Sequence, residues 1–296
     1  MRQGREKARC ERAFFVWSVK GRHMEQRIQE EIRRFVAESP ANRFPDDDGP
    51  YFDEPLVGFA AADDPLFCQY KRIIGDFHLT PGELLEGAAT VIVWVLPVAE
   101  ATRMSNRLES DLPSRKWALT RSHGETLNGL LRRHLTAYLE GLGRRAVAPQ
   151  YSPLWLELPE TPAGIASTWS ERHAAYAAGL GTFSLSDGLI TERGVAHRVG
   201  SVITDLMLSP TPRTFASHRH NCLRYREGTC GVCIGRCPVG AITFAGHDKA
   251  LCREFVYGTA PRRVAERYGV PHTGCGLCQT RVPCEATVPR GKKSMV

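Results

Sequence analysis

The chain has 296 residues, is 42% hydrophobic and 24% charged, and carries a formal charge of +7, a soluble, globular composition with room for one large domain or two modest ones. It excludes a chain built on membrane spans, because no stretch reaches the roughly 18 to 20 uninterrupted apolar residues that a span needs. "AFFVWSV" (Ala13 to Val19) sits at the short end of a signal core and no small-residue cleavage site follows it, so the chain reads as cytoplasmic, with no membrane partner.

Residues 1–23 are basic and lack a capped element, and they read as a disordered extension with Met24 as a candidate start. Ile28, Ile32, Phe35 and Val36 then mark one helical face. "SPANRFPDDDGPYFDEP" is a loop rich in proline and aspartate. "PLVGFAA" predicts a strand, and "DPLFCQYKRII" a helix with Asp64 as cap and Pro65 in its first turn. Thr80-Pro81 starts a short helix. "TVIVWVLPV", almost continuously apolar and β-branched, predicts a buried central strand ended by Pro97. Leu127, Leu131, Leu135, Tyr138 and Leu142 mark a long helix stopped by Gly141 and Gly143, and "RAVAP" is the next strand.

Thr168 and Glu171 form a capping-box pattern ahead of a helix whose Ala174, Ala175, Ala177 and Ala178 allow close packing. Gly179 and Gly181 end that helix; they are also candidates for close backbone approach to a cofactor. "RVGSVITDL" is a strand. After Pro210 the composition shifts to cysteine, glycine and arginine, which places a domain boundary near residues 209–220.

Eight of the ten cysteines follow residue 220. Clustered thiols in a long chain without a signal point to metal rather than disulfides. The spacing Cys230-x2-Cys233-x3-Cys237-Pro238 matches the last three cysteines of the ferredoxin run C-x2-C-x2-C-x3-C-P. Glu227 stands where the first should be, and Cys222 is the nearest thiol upstream. A second group follows: Cys252, Cys275-x2-Cys278 and Cys284.

Two groups of four suit two 4Fe–4S clusters, with the fourth ligands crossed. One cluster would use Cys222, Cys230, Cys233 and Cys284; the other, Cys237, Cys252, Cys275 and Cys278. Two zinc sites of four thiolates each need the same count, but the third close cysteine followed by proline favours iron–sulfur. Each cluster on four thiolates carries about −2, which takes the chain from +7 to about +3 and weakens any nucleic-acid reading of the charge. Cys10 and Cys68 have no partners by spacing.

"ERHAAYAAGLGTFSLSDGLIT…VGSVITD", followed by "CGVCIGRCPVGAI", resembles the epoxyqueuosine reductases and, more distantly, the reductive dehalogenases, over roughly residues 50 to 290. The resemblance implies an α+β fold. A nitroreductase-like (cobalamin-reductase-like) α/β domain would span residues 24–210, and a ferredoxin-like domain with two 4Fe–4S clusters residues 211–296. It also implies cobalamin as a cofactor and a ferredoxin or flavodoxin as electron donor. The substrate would be a small molecule or a modified nucleoside.

The chain departs from the family pattern at three points. The family's catalytic aspartate has no counterpart in "ETPAGIASTW", where Glu160 is the nearest acid. The last motif reads "CQTRVPCEATVP", not C-x3-C-P, and no repeat-helical extension follows. Candidate proton donors are His173 and Tyr176, in a segment that also offers Glu171, Asp187, Arg193 and His197. The leading expectation is an iron–sulfur reductase. A non-catalytic electron carrier with a docking domain is the alternative, and RNA association through Arg132, Arg133, Arg144, Arg145 and the tail "RGKKSMV" is a third reading.

Overall fold

A computed structural model describes residues 23–162 and 164–291. Residues 1–22, with Cys10, and the basic tail from Lys292 onward lie outside the described residues. The fold mixes helix and sheet. In chain order it runs α1 (residues 23–38), β1 (Leu56–Ala61), α2 (Pro65–Ile73), α3 (Pro81–Leu84), β2 (Thr90–Pro97), α4 (Glu100–Arg107) and α5 (Arg115–Gly141). Then come β3 (Ala146–Val147), β4 (Glu157–Leu158), β5 (Ala166–Ser167), α6 (Glu171–Ala177), β6 (Gly181–Phe183), β7 (Leu189–Thr191) and β8 (His197–Thr204). The cysteine-rich part holds α7 (Leu223–Glu227), α8 (Val232–Gly235), β9 (Ile242–Thr243), β10 (Gly246–His247), α9 (Lys249–Arg253), a π-helical turn (Glu254–Thr259) and α10 (Ala260–Tyr268).

One antiparallel sheet, in the order β1-β2-β8-β3, organises the described residues up to 210. Every residue of β2 is buried, because both faces of the sheet are covered. Ile92, Trp94 and Leu96 point to one side, where they join Leu127, Leu131 and Leu135 of α5 and Ile28 and Ile32 of α1. Val91 and Val93 point to the other, against Phe67 and Tyr70 of α2 and the alanines of α6. The period-2 alternation of a strand thus feeds two helical layers. The short alanine side chains let α6 lie close to the sheet.

Several expectations need correction. α5 starts at Arg115, not near Leu127, and is N-capped by Ser114, whose Oγ accepts the Trp117 N–H at 3.1 Å. Its first turns escape the apolar pattern because Ser122, His123 and Gly124 interrupt it. α4 has no sequence signal at all, since its buried positions are the polar Thr102 and Asn106. Thr168 and Glu171 form no capping box: Ser170 is the N-cap residue of α6. The Thr168 hydroxyl donates to the Leu154 carbonyl at 2.9 Å, and Glu171 turns inward to Ser201 at 2.6 Å. "RAVAP" contributes only the two residues of β3. The Asp64 cap of α2 forms as expected, accepting the Leu66 N–H at 3.0 Å.

Arg132, offered as an RNA contact, is 2% exposed. It pairs with Glu125 at 3.0 Å and Glu171 at 3.4 Å inside the protein. Arg133 lies over the Tyr151 ring and Arg145 pairs with Asp205 at 3.1 Å. Among the described residues no helix is long and apolar enough to cross a membrane.

Candidate metal centres and the cavity between them and the sheet

The cysteine-rich segment is tied to the sheet domain by buried polar contacts, which fix where its thiols stand. Asn106 of α4 donates to the Cys275 carbonyl at 3.3 Å and to the Thr280 hydroxyl at 3.1 Å. Arg236 donates to the carbonyls of Asn106, Glu109, Leu277 and Thr280 at 2.7 to 3.2 Å. The Val195 N–H bonds the Cys284 carbonyl at 2.8 Å. Glu285, 3% exposed, accepts from Arg107 at 2.8 and 3.0 Å and from the Arg281 N–H at 2.6 Å. Gly276 has φ +65°, and a Cβ there would stand 1.9 Å from the Trp117 ring, so the loop between Cys275 and Cys278 closes on α5 only with glycine at this position.

Eight thiols surround two spaces. Cys222, Cys230, Cys233 and Cys284 line one cavity, whose other walls include the apolar Leu185, Ile190, Val282 and Pro289. Cys237, Cys252, Cys275 and Cys278 line a second, of about 340 Å³, that opens between the cysteine segment and the sheet domain. Cys233 lies in α8 and Cys237 just beyond its end, four positions on, so the two spaces are neighbours. Each quartet joins one closely spaced pair, Cys230 and Cys233 or Cys275 and Cys278, to two thiols from elsewhere in the segment. The exposed Cys68 lines neither.

Burial pushes the thiols up: Cys233 to about 11, and Cys275 and Cys284 each to about 12, with neighbouring cysteines of the same quartet adding to the shift. Such a group becomes anionic only when a cation holds it. The Ala241 N–H reaches the Cys237 sulfur at 3.2 Å, the kind of bond that offsets negative charge on a thiolate. Among the described residues no three histidine, cysteine or acidic side chains are grouped to hold a single metal ion. The thiols surround a space instead of meeting at a point.

The sheet side of the larger cavity carries Trp117 and Arg121 of α5, Arg172 of α6, and His197 and Arg198 of β8. Burial, with Arg121 alongside, brings Arg198 down to about 10, and Glu125 holds its guanidinium at 3.2 Å. The ring of His197 donates from Nε2 to the Leu189 carbonyl at 2.7 Å, while burial lowers it to about 4. The cysteine side adds His247, raised to about 9 by Asp187 and Cys252. It also adds the π-helical turn, which places the consecutive residues Phe255, Val256 and Tyr257 all on the wall. π-Helical insertions of this kind recur at functional sites.

The residues singled out for catalysis lie elsewhere. His173 packs between Tyr70 and Phe183, with ring centroids at 4.8 and 4.7 Å, and burial lowers it to about 3. Tyr176 contacts Phe183 and Phe215, and Glu160 is exposed in the turn between β4 and β5. None of the three lines either cavity. At Gly179 and Gly181 the close approach is made by the chain itself: a Cβ would meet the Pro212 carbonyl at 2.8 Å and the Ile190 carbonyl at 2.5 Å. Arg121, Arg198, His247 and Tyr257 escaped the sequence reading. They lie on four separate elements, and the only local sign of any of them is their nearness to cysteines in two cases.

No protein-family profile and no curated protein matches the chain. Solved structures do. An epoxyqueuosine reductase with an epoxyqueuosine-modified tRNA-Tyr stem loop aligns at TM-score 0.54 and 18% identity, over 91% of this chain and 67% of that one. The epoxyqueuosine reductase from Bacillus subtilis, with an aspartate-bearing catalytic loop swung out of its active site, aligns at 0.53 and 18%, over 90% and 67%. A catabolic reductive dehalogenase in complex with 3-bromo-4-hydroxybenzoic acid aligns at 0.50 and 15%, over 89% and 37%. The fold is therefore the one shared by epoxyqueuosine reductases and reductive dehalogenases.

Proposed function

We propose that this protein is a two-cluster iron–sulfur oxidoreductase that reduces a small substrate in the cavity between the sheet domain and the cysteine-rich segment. The observation that carries the reading is the sorting of eight thiols into two quartets around two adjacent spaces. The donor set suits iron–sulfur clusters: thiolates alone, with a backbone N–H directed at one sulfur. Cys222, Cys230, Cys233 and Cys284 would hold one 4Fe–4S cluster, and Cys237, Cys252, Cys275 and Cys278 the other. When bound, such clusters take up and release single electrons with little rearrangement. In this reading residues 24–210 form the substrate domain and residues 211–296 the ferredoxin-like domain, served by a ferredoxin or flavodoxin.

The chain's own residues prepare the cavity for chemistry. Arg121, Arg172 and Arg198 stand beside the quartet, and Trp117, Phe255 and Tyr257 form aromatic parts of the wall. Tyr257 accepts from Arg121 at 3.3 Å, so its hydroxyl proton is free to be given to a substrate. A cavity walled on one side by a quartet and on the other by a separate domain favours an enzyme over a bare electron carrier.

The resemblance also implies cobalamin. The cavity between the quartet and the sheet domain opens to the surface, and no step is assigned to a corrinoid.

Anaerobically reconstituted protein should hold about eight iron and eight sulfide and show broad visible absorbance that bleaches on reduction. Stoichiometric zinc without visible absorbance would refute the cluster assignment. One similar structure holds an epoxyqueuosine-modified tRNA stem loop, but among the described residues no acid lines the cavity. Loss of a general acid slows reactions by roughly 10² to 10⁴. Reduction of epoxyqueuosine in tRNA is therefore expected to stay below one turnover in an anaerobic assay with a strong reductant. Multiple turnovers, lost in Glu160→Gln, would show instead that the exposed loop closes and supplies the acid.

A further inference from the structure

The surface over the first quartet carries exposed apolar side chains and unmatched positive charge. Phe244, in the turn between β9 and β10, is 61% exposed, and Val232 and Tyr225 are 43% and 37% exposed. A Cβ on Gly231 would stand 3.0 Å from the Phe244 ring, so that ring lies against the backbone between Cys230 and Cys233. The Arg224 guanidinium sits over the same ring at 4.2 Å, and that of Arg219 over Tyr225 at 4.0 Å. Arg224 also lines the space that Cys222, Cys230, Cys233 and Cys284 surround. Residues 211–247 hold five arginines and one acid, Glu227. Arg213 pairs with Asp64 and Arg226 with Glu227, while Arg236 is taken up by carbonyls. Among the described residues Arg219 and Arg224 have no ion-pair partner; their guanidinium groups rest on the aromatic rings. Aromatic and arginine side chains set together on a surface are the make-up of protein interfaces, and exposed apolar groups rimmed by polar ones mark contact sites. Nucleic acid fits less well. Phosphates call for a run of basic groups, and Val232 has no flat face on which a base could stack.

We propose that this face docks an acidic protein that carries single electrons, with Phe244 at the centre of the contact and Arg219 and Arg224 meeting the carrier's carboxylates. The inference names where a partner meets the site proposed above and rests on the cluster reading. The step is the passage of one electron from the reduced centre of the carrier, which is oxidised, to the cluster on the first quartet, which is reduced; no bond forms or breaks.

The test is anaerobic calorimetric titration of the iron-loaded protein with two acidic carriers, a plant-type ferredoxin and a flavodoxin, and with bulk tRNA, with iron and sulfide counted in every sample. At least one carrier should bind, and its affinity should fall as salt rises, because facing charges are screened. Arg219→Glu and Phe244→Ser, both at exposed positions, should each weaken that carrier about tenfold with iron content unchanged. Arg133→Glu, the same change of charge at an exposed position of α5, should leave the affinity within about twofold of wild type. Iron-loaded protein that binds neither carrier overturns the inference and leaves the cluster reading in place. So does carrier binding that the two patch variants leave unchanged, or that Arg133→Glu weakens equally, since it would then follow net charge alone. Bulk tRNA that binds more tightly than either carrier and is released by the patch variants would overturn it in favour of nucleic acid. Carrier binding that is sensitive to the patch variants, in protein that takes up no iron, keeps the docking face and refutes the cluster reading instead.

Discussion

Glu285 is a carboxylate buried at the joint between α4 and the last cysteine loop, held by Arg107, Arg103 and the Arg281 N–H. Removing its charge would leave two guanidinium groups facing a poor partner next to Cys284, whose carbonyl pairs with the Val195 N–H. Glu285→Gln should cost about 2–4 kcal/mol in chemical denaturation and hasten iron loss from the reconstituted protein; unchanged stability would show that the joint does not depend on this pair. Among the thiols, the two quartets are independent. Cys230→Ala and Cys275→Ala should each remove about half of the iron, because each strips one ligand from a separate space. Cys68→Ala, which touches neither, should leave iron content and absorbance unchanged. Iron lost in the Cys68 variant would break the assignment.

At the scale of the element, α6 illustrates how a local pattern is overruled. Thr168 and Glu171 have the right spacing for a capping box, yet each finds a better partner in the tertiary structure. Thr168 bonds the Leu154–Leu156 segment, and Glu171 meets Ser201 and Arg132 under the sheet. The turn before α6 is instead held by His78, whose Nε2 accepts the Ser170 N–H at 3.2 Å, and by His173, whose Nδ1 meets the Ser170 hydroxyl at 2.8 Å. Burial lowers His78 to about 4 and His173 to about 3, from an ordinary 6.5. Both rings are neutral in the folded protein and take up protons once unfolded below pH 6.5, so the unfolded state binds more protons. Stability should therefore fall as pH drops from about 6.5 towards 4, by up to ~1.4 kcal/mol per pH unit for each ring. Urea midpoints measured across that range should slope less steeply in His78→Gln than in wild type. Parallel slopes would mean that His78 is charged in both states or in neither.

At the scale of the whole molecule, the sheet domain and the cysteine-rich segment differ in what holds them. The first has two apolar layers about a fully buried strand. The second has short helices, two-residue strands and a small core in which the cysteines themselves pack. Metal binding is folding free energy in such a segment. Stripping the reconstituted protein with an iron chelator under oxidising conditions should unfold residues 211–291 at a lower temperature than the sheet domain, splitting one thermal transition into two. Hydrogen exchange would locate the early loss; a single unchanged transition would show that the segment stands without metal.

Much of this was readable one residue at a time. The helical face of Ile28 and Ile32, the buried strand Thr90–Pro97, the Asp64 cap and the grouping of cysteines all depend on local periodicity, propensity or spacing, which a sequence states directly. Spacing also suggested which thiols belong together, because short intervals limit where a chain can place them. The cavity was not readable. Arg121, Arg172, Arg198 and Tyr257 are far apart along the chain, sit on elements of ordinary composition, and become neighbours only when α5, α6, β8 and the π-helical turn close on one space. For the same reason Arg132 looked like surface charge beside Arg133 and proved to be buried, with two carboxylates from α5 and α6 as partners. Local order follows from neighbours in sequence; charge pairing and cavity walls follow from neighbours in space, and those exist only after the layers have packed.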